Sequence, residues 1–429
     1  MGDSNVPPVD NYRFLVVGAG VSGLSFCNFL TSDDYLVLER DDAIGGYCKT
    51  VERDGFVWDY SGHFFHFRHP DIEQYLRDRM DGEVITVQKD SRILFKGSLV
   101  DFPFQKNIHQ LPQEDFIDCL YELYFRPEAQ DGDGSFEAML HAKFGRGIAE
   151  RFLVPYNEKL YACSLSELDA DAMGRFFPYA DIDEIIRNFR HADNASYNAS
   201  FTYPVRGAIQ YVEALAKGVR DGGIALGEGL AAVDLVRKVA TTTRGREIGF
   251  EYLISSAPLD ALVGMCGLGG LEDAFTANKV ACFNLGFDSK GWPDVHWVYF
   301  PERDYVFYRV GWYDNIMGSD RMSLYVEVGC PRDEEVDLDA LQAQVLRDLE
   351  AAGVVDGQTL VASHRVVLDP AYVHITQRSL AAVDKVRAQL GARGVYPVGR
   401  YGGWTYCAIE DNVVETRDLA QMFNGLGLS

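Results

Sequence analysis

One stretch near the N-terminus constrains the fold more than any other part of the chain. An apolar run at residues 14–17 (FLVV) enters a glycine-rich loop at residues 18–23 (GAGVSG). A helical segment follows, and a second apolar run, at residues 35–38 (YLVL), ends at Glu39. This order of strand, glycine loop, helix, strand and acid predicts a βαβ unit that binds a dinucleotide.

Each glycine of this loop has a separate physical role. Gly18 permits the tight turn, Gly20 allows the backbone to approach a pyrophosphate, and Gly23 allows the helix to pack closely on the strand. The helix N-terminus then presents free N–H groups and a partial positive charge to the phosphates. Glu39 is placed to bind the ribose hydroxyls of an adenosine.

Charge and cysteine content limit the partners of the chain. A formal net charge of -24 over 429 residues argues against nucleic acid or an anionic membrane as a partner. The eight cysteines show neither CxxC nor zinc-ligand spacing, so we predict no metal site. The polar N-terminus predicts no signal peptide, and no apolar run reaches membrane-spanning length. We therefore expect a cytoplasmic protein.

Changes of periodicity along the chain predict three domains in an α/β fold. A Rossmann-like dinucleotide-binding domain is expected at 1–90, continued by 198–275 and 390–429. An inserted helical domain is expected at 108–197, where apolar residues recur at helical spacing. Alternating β-type runs predict a mostly antiparallel sheet domain at 276–389, which would carry the substrate surface.

Motifs along nearly the whole chain resemble those of the flavin-dependent UDP-galactopyranose mutases, especially the longer eukaryotic-type members. In order they are GAGVSGL, IGGY, DYSGHFF, DFPFQKNI, GIAERFLVPYNEKLYA, NASFTYPVRG, VHWVYFPE, VFYRVGWYDN and VGRYGGW. The resemblance implies FAD as the cofactor, active in its reduced form. The cofactor-binding residues that it implies, together with those of the glycine loop, are Gly18, Gly20, Gly23, Glu39, Gly45, Gly46, His63, Gly399 and Arg400.

The resemblance also implies a reaction without net redox change. Reduced flavin N5 would attack the anomeric carbon of a nucleotide sugar, with the nucleoside diphosphate as leaving group. The sugar would then interconvert between pyranose and furanose forms. Such an enzyme needs an external reductant such as NAD(P)H, and the sequence shows no NAD(P)H site beyond the FAD motif. A homo-oligomer is compatible with the family.

The family match extends to individual site residues. It assigns catalytic roles to Arg309, Arg175, His63 and Tyr372, with the two arginines on the diphosphate because guanidinium forks suit phosphate oxygens. The implied substrate-binding residues are Gln105, Asn157, Arg175, Asn198, Trp297, Tyr299, Arg309, Tyr372 and Tyr406.

Several positions depart from the family pattern, and two readings other than a mutase stay open. Thr405 stands where the family has an arginine, Phe102 where it has a tyrosine, and Ala208 where it has a glycine. A site that loses such donors can change its choice of ligand, so the predicted substrate is a nucleotide sugar, and UDP-galactose, a 6-deoxy or amino sugar and another nucleoside all stay open. The main alternative is an FAD-dependent oxidase or dehydrogenase of the amine-oxidase or protoporphyrinogen-oxidase type. The other is a binding protein without turnover.

Overall fold

The fold is described from a computed structural model that covers residues 10–126, 134–191 and 199–427. The strands, in chain order, are β1 (Asp10–Val17), β2 (Tyr35–Leu38), β3 (Thr50–Arg53), β4 (Phe56–Asp59), β5 (Val84–Gln88), β6 (Ser91–Phe95), β7 (Ser98–Asp101), β8 (Ser200–Pro204), β9 (Ile224–Ala225), β10 (Leu230–Asp234), β11 (Val239–Thr242), β12 (Glu247–Ser255), β13 (Asn278–Phe287), β14 (Trp297–Tyr299), β15 (Arg309–Trp312), β16 (Ser323–Pro331), β17 (Leu360–Leu368) and β18 (Val395–Pro397).

The α-helices are also numbered in chain order, and α3 to α6 belong to the helical segment between β7 and β8. They are α1 (Val21–Phe29), α2 (Pro70–Arg77), α3 (Gln113–Tyr124), α4 (Phe136–Ile148), α5 (Val154–Tyr161), α6 (Ile182–Asn188), α7 (Ile209–Ala216), α8 (Leu259–Met265), α9 (Tyr313–Met317), α10 (Leu338–Ala351), α11 (Gln377–Gly391), α12 (Gly399–Gly402) and α13 (Ile409–Gly425).

The first sheet contains the predicted βαβ unit. Strand β1 pairs in parallel with both β2 and β12, while β9 extends the sheet beside β2 and β18 pairs with β12. Helices α1 and α13 pack on one face of β1, where the ring of Phe14 lies 5.8 Å from Phe26 and 5.1 Å from Phe423. Coverage of this kind is why the run of β1 is apolar rather than alternating.

The second sheet has the order β17-β13-β16-β15-β14-β6-β7 and is antiparallel except where β14 meets β6. Strands β6 and β7 come from the segment before the helical insertion, so distant parts of the sequence build this sheet. One face is apolar and packs on α10, through Val298, Val310 and Val326 of the sheet and Val345 and Leu349 of the helix. Since strand side chains alternate, the polar and aromatic residues of the same strands face the other way.

The opposite face carries two rows of directly paired residues. They are Trp297–Gly311–Tyr325 and Tyr299–Arg309–Glu327. These rows form the floor of the pocket described below.

Helix α5 stands over this floor, and α3 and α4 precede it in the helical segment. Two glycines let α4 lie close to α3: a Cβ on Gly145 would sit 2.3 Å from the carbonyl oxygen of Glu122, and one on Gly147 would sit 2.8 Å from the Cα of Cys119. A π-helical turn, Ala149–Leu153, leads directly into α5.

The α/β class predicted from the sequence is confirmed, with its Rossmann-like sheet, helical insertion and mostly antiparallel second sheet. Across the residues the structure describes, no helix has both the length and the apolar character needed to span a bilayer.

Candidate active site

The glycine loop forms a cradle at the start of α1. Gly18 has a φ of 98°, in the left-handed region that favours glycine, and a Cβ on Gly23 would lie 2.0 Å from the carbonyl oxygen of Gly18. The N-terminus of α1 follows Gly20 with no side-chain cap and no acid in its first turn. Its N–H groups and dipole are therefore available to an anionic ligand.

A second glycine turn closes against this loop. The N–H of Gly45 donates to the carbonyl oxygen of Ala19 at 3.0 Å, and a Cβ on Gly46 would lie 3.5 Å from the Cα of Gly20. Both turn glycines have positive φ. The structure thus brings Gly18, Gly20, Gly23, Gly45 and Gly46 together around one cradle.

Glu39 lies at the end of β2, beside the cradle. Its carboxylate is buried and accepts hydrogen bonds from the N–H of Ala19 at 2.7 Å and of Asp41 at 3.0 Å. These bonds orient the acid next to the glycine loop, where a ribose would reach it.

The C-terminal strand-turn-helix meets the same cradle from the other side. A Cβ on Gly399 would lie 2.4 Å from the hydroxyl oxygen of Ser22 on α1. The N–H of Arg400 donates to the Asn412 side chain at 2.7 Å. The starts of α1, α12 and α13 therefore lie close together, and helix N-termini of this kind suit an anionic ligand.

His63 occupies the loop after β4. Burial lowers its pKa to about 4; Glu327 works against that shift, and Arg400 and Arg309 add to it. The ring is therefore neutral at pH 7, and its buried Nδ1 has no hydrogen-bond partner among the described residues. An imidazole in this state has one nitrogen left for a ligand.

A cavity of about 180 Å³ opens above the polar face of the second sheet. Its wall combines residues from the loop after β4, from the helical segment and from the sheet. They are Gly62, Phe64, His66, Phe102, Phe152, Leu153, Tyr156, Asn157, Leu160, Met173, Phe176, Phe177, Pro178, Trp297, Tyr299, Arg309, Tyr325, Tyr372 and Tyr406.

Arg309 is the cation in that wall. Its guanidinium Nε and Nη2 donate to the two carboxylate oxygens of Glu327 at 2.6 and 2.8 Å, and the Ser61 hydroxyl bonds the same carboxylate. Burial opposes ionisation of Glu327, but the adjacent guanidinium holds the pKa of its carboxyl below the ordinary value. Arg309 is therefore charged, oriented and in contact with the cavity.

Trp297, Tyr299 and Asn157 also line the cavity. The indole N–H of Trp297 donates to the Tyr299 hydroxyl at 2.8 Å. The side-chain nitrogen of Asn157 donates to the Leu153 carbonyl at 2.6 Å, while its buried oxygen has no partner among the described residues. That oxygen is an acceptor for a ligand donor.

Tyr372 and Tyr406 form an aromatic pair at another side, with ring centroids 6.0 Å apart. The Arg400 guanidinium lies 5.2 Å from the first ring centre and 4.6 Å from the second. Its buried Nε has no partner among the described residues. The structure therefore brings Arg400 close to both tyrosines, and both tyrosines line the cavity.

Arg175 lies outside the cavity wall, although Met173 and Phe176 on either side of it line the cavity. Its guanidinium pairs with the carboxylate of Asp411 at 2.5 and 2.6 Å, at the start of α13, and is partly exposed. The structure thus pairs Arg175 with Asp411, whereas Arg309 lines the cavity.

Gln105 is fully buried beneath the cavity wall rather than in it. Its amide nitrogen donates to the carbonyl oxygen of Pro178, which does line the cavity, and its own oxygen has no partner among the described residues. Asn198, the remaining predicted substrate residue, lies outside the described residues.

Glu327, Tyr325 and His66 are among the wall or supporting residues that the sequence did not predict. Tyr325 and Glu327 alternate on β16, in the segment SLYVEVG, and pair with the strand of Arg309. A buried acid two residues from a tyrosine in an apolar strand was the available signal. Over the described residues no group of three or more metal-ligating side chains is placed to hold a metal ion.

The chain is similar to flavin-dependent oxidoreductases in sequence. A family profile described as flavin containing amine oxidoreductase matches residues 21–411. Among curated proteins, coproporphyrinogen III oxidase of Staphylococcus aureus is 20% identical over 324 residues, which are 66% of this chain and 68% of that one. Chloroplastic protoporphyrinogen oxidase of Nicotiana tabacum is 24% identical over 179 residues. That match covers 38% of this chain and only 32% of the tobacco protein.

Solved structures give a closer likeness. The crystal structure of a reduced UDP-galactopyranose mutase matches with a TM-score of 0.89 and 25% identity, over 97% of this chain and 94% of that one. A putative protoporphyrinogen oxidase from Exiguobacterium sp. 255-15 matches with a TM-score of 0.75 and 19% identity, over 97% and 99%.

FAD is the cofactor of this chain. The described residues fit it: a glycine cradle at an uncapped helix start would hold the pyrophosphate. His63 Nδ1 and Arg400 Nε are buried polar atoms that find no hydrogen-bond partner among those residues.

Proposed function

This chain belongs to the flavin-containing amine oxidoreductase family, and within it we propose that the protein is a nucleotide-sugar mutase that interconverts pyranose and furanose forms. The observation that carries the proposal is Arg309, held by Glu327 in the cavity wall close to His63. A charged guanidinium in the cavity wall suits a phosphate ligand, whereas oxidation of an amine or a porphyrinogen requires no phosphate ligand. The match to a mutase over nearly the whole chain supports the same choice.

Arg309 binds the diphosphate in this proposal. The bond between the anomeric carbon and the diphosphate oxygen breaks, and the electron pair leaves with the phosphate, where a guanidinium stabilises the added charge. When bound and reduced, FAD would supply the nucleophile for that carbon. The same bond re-forms after the ring has closed through a different hydroxyl, so no atom or electron is gained.

The aromatic wall positions the sugar during these steps. Tyr299, Tyr372 and Tyr406 surround the cavity near Arg309, and Asn157 offers an unpartnered acceptor. Holding the sugar close to the cofactor and away from water raises the effective concentration of the reacting groups and prevents hydrolysis.

The substrate that we propose is a nucleotide sugar other than UDP-galactose. Thr405 is exposed, so the position of the family arginine contributes no buried cation here. A 6-deoxy sugar, an amino sugar or a different nucleoside would suit a site with fewer donors. An external reductant such as NAD(P)H would keep the flavin active.

The test is anaerobic incubation of the FAD-loaded protein with UDP-, GDP- and dTDP-sugars, in the oxidised and the dithionite-reduced state, followed by chromatography. We expect interconversion of isomers of equal mass only with reduced protein. Absence of isomerisation across this panel would contradict the proposal.

The second candidate is an FAD-dependent oxidase, favoured by the curated porphyrinogen oxidases that the chain matches in part. An oxidase would bleach its flavin on addition of an amine or a porphyrinogen and would release hydrogen peroxide in air. Measuring flavin absorbance with both substrate classes separates the two functions.

A further inference from the structure

Tyr325 reaches the cavity because the residue opposite it has no side chain. Tyr325 on β16 pairs directly with Gly311 on β15, and a Cβ on Gly311 would lie 2.0 Å from the tyrosine ring. A second glycine, Gly62, borders the ring tip, and a Cβ there would lie 2.6 Å from the hydroxyl oxygen. Any larger residue at either position would push the ring out of this slot.

The hydroxyl of Tyr325 is buried without a partner. The residue is fully buried in the cavity wall, and its oxygen makes no hydrogen bond within the described part of the chain. Burying a hydroxyl without a hydrogen-bond partner destabilises the folded protein. A phenylalanine would avoid that cost, so packing alone does not explain the tyrosine. Burial also raises its pKa well above the ordinary value, so the group is a neutral donor at pH 7.

The register of the sheet indicates which ligand group meets this hydroxyl. Tyr325 lies one row from Arg309 and Glu327, two residues along the strand or roughly 7 Å. Its ring tip borders Gly62, the chain neighbour of His63, which is proposed to face the cofactor. In the proposed complex, the diphosphate is bound by Arg309 and the sugar extends toward His63, so Tyr325, which lines the same cavity beside Gly62, borders the sugar.

We propose that Tyr325 is a substrate-contacting residue whose hydroxyl hydrogen-bonds one hydroxyl of the sugar ring and selects against sugars that lack it. This inference rests on the proposed mutase function and deepens it. It assigns specificity at the sugar end of the site to a residue that the family motifs do not include.

The test compares wild type and Tyr325→Phe in the reduced, FAD-loaded state. Each protein is given the parent nucleotide sugar and its set of monodeoxy analogues. In wild type we expect kcat/KM for one analogue to be at least about 100-fold below the parent, as in sites built to bind a hydroxyl. In the variant, kcat/KM for the parent nucleotide sugar should fall about 10- to 100-fold. The ratio of kcat/KM between the parent and that analogue should shrink to about threefold or less.

Two further readouts separate this role from a structural or cofactor role. Affinity for the nucleoside diphosphate alone, FAD content and the flavin absorption spectrum should stay unchanged in Tyr325→Phe. A shifted flavin spectrum with retained sugar discrimination would mean that the hydroxyl bonds the flavin, and would overturn the proposal. Unchanged discrimination with an unchanged spectrum would overturn it as well.

Tyr161→Phe is the matched control. Tyr161 is also fully buried, and its hydroxyl has no hydrogen-bond partner in the part of the chain that the structure describes, but it is absent from the cavity wall. Its removal should leave discrimination intact. If wild type converts no nucleotide sugar, the proposed function fails; if wild type converts one and Tyr325→Phe discriminates as wild type does, only the role of Tyr325 fails.

Discussion

Arg309 and Glu327 stand directly opposite each other on neighbouring strands, joined by two hydrogen bonds of 2.6 and 2.8 Å. The Glu327 side chain is 1% exposed and that of Arg309 19% exposed. The carboxylate thus fixes the direction of the guanidinium and balances its charge inside the protein. A ligand phosphate must share this arginine with an acid that is already in place.

Replacing Glu327 by glutamine should destabilise the protein. Glutamine keeps the shape but leaves the Arg309 charge without its partner, and breaking a buried pair from one side costs about 3–5 kcal/mol. We expect a fall of that order in the free energy of unfolding, measured by denaturant titration of the FAD-loaded protein.

The control is Glu158→Gln, which breaks the exposed pair of Glu158 with Arg303. Exposed pairs contribute at most about 1 kcal/mol. An equal decrease in the free energy of unfolding in Glu327→Gln and Glu158→Gln would show that Glu327 does not form a strong buried pair.

Replacing Arg309 by lysine should weaken binding of a nucleoside diphosphate. Lysine keeps the charge but lacks the planar fork, and loss of one charge-assisted hydrogen bond costs about 1.5–3 kcal/mol, or roughly 10- to 150-fold in Kd. Calorimetry with UDP and GDP measures the change. Arg365→Lys alters an exposed pair with Asp339 and should bind as wild type does. An unchanged Kd in Arg309→Lys would remove the arginine from the phosphate site.

Gly23→Ala should abolish FAD binding. The added Cβ would meet the Gly18 carbonyl at 2.0 Å, and neither backbone segment can yield without opening the cradle. The ratio of absorbance at 450 nm to that at 280 nm in the purified protein reports FAD content. Gly264→Ala, in α8, meets nothing within 4 Å and should retain full FAD with a gain of up to about 1 kcal/mol in stability. Full FAD in Gly23→Ala would contradict the assigned cradle.

Titration of the Asp59 carboxyl should make the free energy of unfolding depend on pH. Its carboxylate is fully buried and accepts hydrogen bonds from Thr50 Oγ1 at 2.5 Å, the Tyr203 hydroxyl at 2.8 Å and the Ala208 N–H at 3.0 Å. Burial raises its pKa from 3.8 to about 7, although these bonds partly oppose the rise.

Because the pKa of Asp59 is higher in the folded protein, the free energy of unfolding should fall as pH rises. The folded protein holds the proton to a higher pH than the unfolded chain, so the stabilisation is complete below pH 3.8 and is lost as pH increases through 7. The asparagine of Asp59→Asn cannot ionise. Between pH 4 and pH 8 the free energy of unfolding should therefore fall by about 4 kcal/mol less in this variant than in wild type. Thermal unfolding across this range tests it, with the exposed Asp221→Asn as control. Parallel curves for wild type and Asp59→Asn would contradict the prediction.

Much of the fold and part of the candidate site could be predicted from local pattern. The glycine loop after residues 14–17 and the acid at Glu39 indicated a dinucleotide site because each signal depends only on neighbours in the chain. The resemblance in VFYRVGWY pointed to Arg309, which does line the cavity. Its partner Glu327 was not foreseen, because alternation along a strand does not reveal which residues of two strands face each other.

The amino-acid sequence alone therefore specified the glycine loop, the alternation of side chains between the two faces of each strand, and the α/β class. Tertiary structure alone decided that Tyr325 fills the space left by Gly311, and that Arg175 pairs with Asp411, 236 positions further on. The physical reason is that turns and strand faces follow from short-range backbone preferences. Cross-strand register and contacts between distant segments arise only when the packed core brings those segments together.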